Sequence, residues 1–234
     1  DTGGVPLPVF VWFCRAMTSL HPDRLFPADP TTREIARALY DEVRDLPLIC
    51  PHGHTDPVWW GDNPAFTDAA QLFVIPDHYV VRMLVSQGGT FEELGIGSGA
   101  QTDARAVWRT VASRYHLFLG TPSRLWIDHA VEHGFGSDLP WNASTADAIF
   151  DAIGAALARP EFRPRALYDR FRIKVIATTD SALDDLAPHQ RAADSWHGRV
   201  VPTYRPDAVV DPEFEGFATN LETFAALTGC DTSQ

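Results

Sequence analysis

Hydrophobic positions along the chain change their spacing twice. From Asp29-Pro30 onward, Ile35, Leu39, Val43 and Leu46 recur at steps of three and four. That spacing predicts an amphipathic helix, with Asp29 as N-cap and Pro30 at the first helical position. Pro47 stops it. An apolar run then leads into Pro51-His52-Gly53-His54. Read as a strand over 48–54, its side chains alternate, so His52 and His54 share one side, two rises of about 3.3 Å apart. From 57 to about 165 the period becomes helical. Helices are expected over 66–74, over 78–87 behind an Asp77 cap, and over 102–118 with Val107, Val111, Tyr115 and Phe118 on one face. Two more are expected, from Thr121-Pro122 to Gly134 and from a capping-box-like Ser144-Thr145-Ala146-Asp147 to Arg159. Strand signals then return over 172–180 and 199–207, the first rich in β-branched residues as a buried parallel strand is. Helices are expected over 181–186 and 215–227.

Helix, strand, helical insert, strand, helix, strand, helix is the opening of a β/α fold. All three strand ends carry candidate chemistry: His52 and His54, then Thr179 and Asp180, then Arg205 and Asp207. Active sites of β/α barrels sit at such C-terminal strand ends. The expected architecture is α/β, a partial (β/α)8 TIM-type barrel of three strands with a large helical insert after the first. The expected divisions are a leader or upstream segment over 1–16, the barrel start over 17–56, the insert over 57–165 and a truncated barrel continuation over 166–234.

A formal charge of −12 argues against nucleic-acid and anionic-membrane surfaces, which need clustered Lys and Arg. It leaves room for an anionic metabolite held by one or two arginines. Three cysteines at no metal-binding spacing fit a reducing cytoplasm better than a disulfide framework. No apolar run approaches the roughly 18 residues of a membrane span.

Each candidate has a plainer reading beside it. His-x-His can be a pair of loop histidines, although neutral imidazole is the commonest side-chain metal ligand, and Gly53 between them permits close approach to the backbone. His78 and Tyr79 can be an ordinary helix start, with Tyr79 packed on Met83. Arg205 can simply pair with Asp207. Asp180 reads most simply as the N-cap of the next helix. His129-Ala130-Val131-Glu132-His133 matches the H-x-x-E-H pattern of inverted zinc peptidases; its plain reading is an exposed helix end whose histidines suit the dipole.

The order His52-Gly53-His54, Asp77-His78-Tyr79 with Arg82, Ser144-Thr145-Ala146-Asp147, Thr178-Thr179-Asp180 and Pro202-Thr203-Tyr204-Arg205-Pro206-Asp207 resembles the uronate isomerases of the amidohydrolase superfamily. The resemblance runs from about residue 33 to 230 and covers roughly the N-terminal half of such an enzyme. It implies interconversion of D-glucuronate with D-fructuronate, and of D-galacturonate with D-tagaturonate. By resemblance, His52 and His54 match two ligands of a divalent metal, usually zinc. His78 and Tyr79 match insert residues that reach the substrate, with Tyr79 similar to a proton donor. Arg205 matches the arginine that holds the substrate carboxylate. The family's later histidine and its last-strand Asp and Arg would lie beyond Gln234. Expected partners are the small uronate and further copies of the chain.

The residues suit that chemistry in their own right. Aldose–ketose isomerisation through an enediol needs a base, an acid for the carbonyl oxygen and a means of holding developing charge. Arg205 can clamp a carboxylate in two parallel hydrogen bonds. Two other readings stay open: a hydrolase of the same superfamily, which would not need Arg205, and a non-catalytic fragment or paralogue.

Overall fold

A computed structural model describes residues 20–232. The expectations for a leader over 1–16 and for a domain start near Met17 lie outside those residues. In chain order the elements used below are α1 (Pro30–Val43), β1 (Leu48–Cys50), α2 (Pro57–Asp62), α3 (Ala69–Phe73), α4 (His78–Ser86), α5 (Ala104–Ser113) and α6 (Pro122–His129). There follow α7 (Ala146–Leu157), α8 (Pro164–Arg170), β2 (Ile173–Ser181), α9 (Ala187–Ser195), β3 (Val200–Arg205), α10 (Asp207–Val210) and α11 (Phe217–Thr228). They fall into two compact units. One holds Thr67–Ala155 with the described residues up to Ala38; the other holds Leu39–Phe66 and the residues from Ala156.

The first unit is helical. Asp68, Asp77, Asp103 and Thr121 each accept a backbone N–H at the start of the helix that follows. Each therefore satisfies an otherwise orphaned donor. Its core is aromatic and close-packed: Trp108 stacks on Trp141 with centroids 3.9 Å apart and donates its indole N–H to Ala146 O at 2.9 Å. Val107, Val111, Tyr115 and Phe118 are buried, as their spacing predicts. After Ser113 the segment tightens into a 3-10 turn over Tyr115–Phe118 rather than continuing as α-helix. The capping box at Ser144 does not form. The Ser144 N–H is accepted by Asn142 Oδ1 at 2.8 Å, while Arg109 and Arg105 take the Asp147 carboxylate. The guanidinium of Arg109 holds the Asp147 carboxyl below the usual carboxylate range.

The second unit is built on a three-stranded parallel sheet in the order β1-β2-β3. Thr179 stands opposite Thr203 and Asp180 opposite Tyr204. The register shifts between Leu48 and Ile49 in β1. Against the sheet, Trp60 of α2, Tyr168 of α8 and Ala192 of α9 pack on Ile176. The Trp60 and Trp196 indoles are parallel within 5°. Arg165 ties this layer together, donating to Trp60 O at 2.8 Å and to Gly61 O at 2.7 Å. A Cβ on Gly61 would sit 2.7 Å from Pro188 O, so α2 and α9 approach this closely only because residue 61 is glycine.

The sheet unit also departs from the sequence-based expectations. The first strand ends at Cys50, not His54. No helix forms over 181–186, where the chain turns with the Ser181 N–H held by Asp184 Oδ2 at 2.7 Å; Pro188 then fixes the start of α9. A helix at Pro57–Asp62 was not foreseen. Its signal is plain in retrospect: Asp56 caps it and Pro57 fills the first helical position.

Helix α1 forms as expected, with Asp29 Oδ2 accepting the Thr32 N–H at 2.7 Å. Leu46 lies beyond its end, and its apolar positions Ile35, Leu39 and Val43 are all exposed.

Candidate active site

The C-terminal edge of the parallel sheet collects most of the residues singled out by sequence. Just past β1, in a segment that belongs to no strand, His52 and His54 turn toward each other. Their Nε2 atoms are 3.0 Å apart and their rings meet edge to face. Two nitrogens bound to one tetrahedral zinc at about 2.0–2.1 Å would stand about 3.3 Å apart. The pair would need to open by only a few tenths of an ångström, and two imidazoles are suitable donors for zinc. Among the described residues no group of three or more His, Cys, Asp or Glu forms a fuller set.

Gly53 is as tightly placed as the sequence suggested, but what approaches it is protein. A Cβ there would lie 2.7 Å from Ala177 O of β2. The Thr179 hydroxyl of β2 donates to Gly53 O at 2.7 Å. On the downstream side the Trp60 indole donates to Thr55 Oγ1 at 3.1 Å.

Thr178 and Asp180 lie on the opposite face of β2 from Thr179. Asp180 is not a helix cap. It is buried within the strand, accepting the Thr178 hydroxyl at 2.7 Å and the Thr203 N–H of β3 at 3.2 Å. His189 of α9 completes the cluster, with Nε2 2.7 Å from Thr178 Oγ1. With the Thr178 proton directed to Asp180, His189 Nε2 serves as the donor to the hydroxyl. Sequence reasoning missed His189. The available signal was period-2 alternation in Thr178-Thr179-Asp180, which puts two polar residues on a buried face that must be satisfied from a neighbouring helix.

Arg205 ends β3. Its Nε is 3.4 Å from Asp207 Oδ2, both side chains are about half exposed, and both line a cleft of about 440 Å³ with Asp180, Ser181, Asp211 and Phe214. The plain surface pairing is thus present, and the guanidinium also faces open space large enough for a small acid.

In the helical unit, Asp77 Oδ1 accepts the Tyr79 and Val80 N–H groups and so fixes the start of α4. His78 and Tyr79 rings lie 4.2 Å apart. Tyr79 is half exposed, with the Arg82 guanidinium 5.3 Å above its ring, and it lines a separate cleft of about 620 Å³ with Met83, Phe118 and Trp126. The H-x-x-E-H stretch takes a different shape from a peptidase helix. The α-helix gives way to a π-helical turn at Ala130–Gly134. His129 and His133 rings meet edge to face at 4.7 Å. Burial first, then His133 and Arg24, push His129 below the usual imidazole range, so it favours the neutral form. Among the described residues no third ligand joins the pair.

Comparison with known proteins bears on the whole of this arrangement. The glucuronate isomerase family model matches residues 30–234. A uronate isomerase of Rhizobium meliloti (strain 1021) is 55% identical over 218 residues, which is 91% of this chain and 46% of that protein. One from Rhizorhabdus wittichii is 57% identical over 213 residues, 91% and 45% of the two chains. The crystal structure of glucuronate isomerase from Caulobacter crescentus superposes with a TM-score of 0.88 at 49% identity, covering 92% of this chain and 46% of that one. A uronate isomerase from Thermotoga maritima gives 0.81 at 26% identity. The chain therefore spans about half the length of the relatives it matches. With a match that takes in both units, the strand-end histidines, α4 and Arg205, the chain belongs to the glucuronate isomerase family.

Proposed function

We propose that this chain carries part of a uronate isomerase that converts D-glucuronate to D-fructuronate, and D-galacturonate to D-tagaturonate, in hexuronate breakdown. The observation that carries the reading is the convergence of His52 and His54, Nε2 to Nε2 at 3.0 Å, at the C-terminal edge of a parallel sheet in a chain of this family. In this reading the three strands are the first three of a (β/α)8 barrel. The described residues up to 56 and from 166 are its beginning and continuation, and 57–165 is the helical insert between the first and second strands. The protein works in the cytoplasm, as a homo-oligomer.

His52 and His54 are the residues that would hold a divalent metal, with zinc the best match to paired imidazoles. When bound, such a metal supplies Lewis acidity that orients and polarises the sugar oxygens. The chain's own residues do part of the rest. Arg205 exchanges its pairing with Asp207 for two parallel hydrogen bonds to the uronate carboxylate. The substrate acid thereby replaces a long, half-solvated ion pair worth little. By the resemblance, the phenol of Tyr79 is the proton donor to the carbonyl oxygen and His78 a substrate contact, while the C–H proton lost as the enediol forms passes to a carboxylate base outside this chain.

The test is isomerisation of D-glucuronate, together with metal content, in the full-length protein. His52→Ala with His54→Ala should abolish both, while Glu132→Ala should leave both intact. Loss of metal only on mutating His133 would sink the reading and favour the peptidase pattern instead.

A further inference from the structure

The His-Gly-His segment is functional only if its backbone is fixed, yet it lies outside the β ladder. The last paired residue of β1 is Cys50, opposite Ile176. Among the described residues no backbone–backbone hydrogen bond restrains 51–55. Two contacts from β2 stand in for the missing ladder. The Thr179 hydroxyl donates to Gly53 O at 2.7 Å. The Ala177 carbonyl presses against Gly53 so closely that a Cβ would reach it at 2.7 Å. Both act on the one residue between the two imidazoles. The carbonyl of Gly53 belongs to the peptide that leads into His54, so fixing its plane fixes the direction in which the His54 side chain leaves the backbone.

We infer that Thr179 is a positioning residue: its hydroxyl, through Gly53, sets the spacing of the His52 and His54 imidazoles and so tunes their affinity for a divalent metal. The inference rests on the reading of that pair as metal ligands. Thr179 touches neither imidazole, and its partner is a backbone carbonyl, so its effect on the pair runs through backbone geometry alone. Groups that orient metal-binding histidines are worth roughly 10–100-fold in affinity when removed.

The experiment measures Zn²⁺ affinity of the full-length protein by competition with a chromophoric chelator, and the visible absorption of the Co²⁺-loaded form. Thr179→Val keeps the β-branched shape and removes the hydroxyl; Thr179→Ser keeps the hydroxyl. The expected result is about a tenfold loss of Zn²⁺ affinity and an altered Co²⁺ spectrum in Thr179→Val, with both restored in Thr179→Ser. Gly53→Ala should weaken binding as well, because its methyl group must displace the β2 backbone. Unchanged affinity and spectrum in Thr179→Val would overturn the positioning role. Should Thr179→Val fail to fold, Thr179→Ala decides instead: reduced Zn²⁺ affinity with a native circular dichroism spectrum upholds the role, and wild-type affinity overturns it. Wild-type affinity in His52→Ala with His54→Ala would instead overturn the metal reading itself.

Discussion

The helical unit and the sheet unit solve the problem of a core in opposite ways. In the helical unit the fully buried side chains are large and apolar: Trp108, Tyr115, Phe118, Leu84, Leu94, Ile149 and Ile153. In the sheet unit the side chain buried most completely among the larger ones is polar, Thr178, and it sits in a chain of hydrogen bonds with Asp180 and His189. Leu48 and Ile49 of β1, residues that a parallel strand normally buries on both faces, are 50% and 65% exposed. The helical unit buries mainly apolar groups; the sheet unit sets a buried polar cluster beside its apolar layer of Trp60, Tyr168 and Ile176. Apolar packing tolerates exchange of similar shapes, whereas a buried hydrogen-bond cluster fixes particular atoms. The atoms fixed in this way lie in β2 and in α9 beside it.

Mutations can break this contrast. The largest effect should come from Trp108→Ala, which removes an indole stacked on Trp141 and its hydrogen bond to Ala146. It should cost about 3–5 kcal/mol in urea titration, read by helical circular dichroism. Thr178→Val keeps the shape but strips Asp180 and His189 of their shared partner. Leaving such groups unsatisfied should cost roughly 1–3 kcal/mol. Nitrogen NMR of His189 should show a hydrogen-bonded Nε2–H in the parent protein and loss of that hydrogen bond in the variant. A stability change near zero would mean that the cluster is not what holds the strand ends. The smallest effect should be Ile49→Thr, within about 0.5 kcal/mol, because the side chain is already in water. The same change should reduce self-association of this chain in sedimentation, since bare apolar strand residues beside an open edge invite pairing. Monodisperse parent protein would contradict that expectation.

Local signals were readable from the sequence to the degree that they were local. Asp29, Asp77 and Thr121 cap helices where the sequence put caps, because an N-cap needs only its own next three residues. The two long strand runs also form where β-branched residues cluster. The failures were long-range. Asp180 has the sequence of a cap, but its carboxyl is taken from within the sheet by Thr178 and Thr203. Asp147 has the sequence of a capping box, but two arginines of α5 reach it first. Nothing beside His189 in sequence marks it; the only signal lay in its partner eleven residues away, Thr178, on the buried face of β2. At the candidate site the paired histidines were legible as a pair. That β2 holds them was not, since a glycine announces room without saying what fills it.

The stacked tryptophans give the molecule two built-in spectroscopic reporters. Trp108 and Trp141 lie face to face within the helical unit, at 3.9 Å and 21°. Trp60 and Trp196 lie parallel within the sheet unit, at 6.1 Å and 5°. Indoles held this close share their electronic excitation, and the sign and size of the resulting ultraviolet signal depend on the angle between them. Replacing Trp141 or Trp196 by phenylalanine silences one reporter at a time. A single denaturation experiment can then follow each half of the molecule separately and show whether the edge that aims the histidines lets go before the helices do.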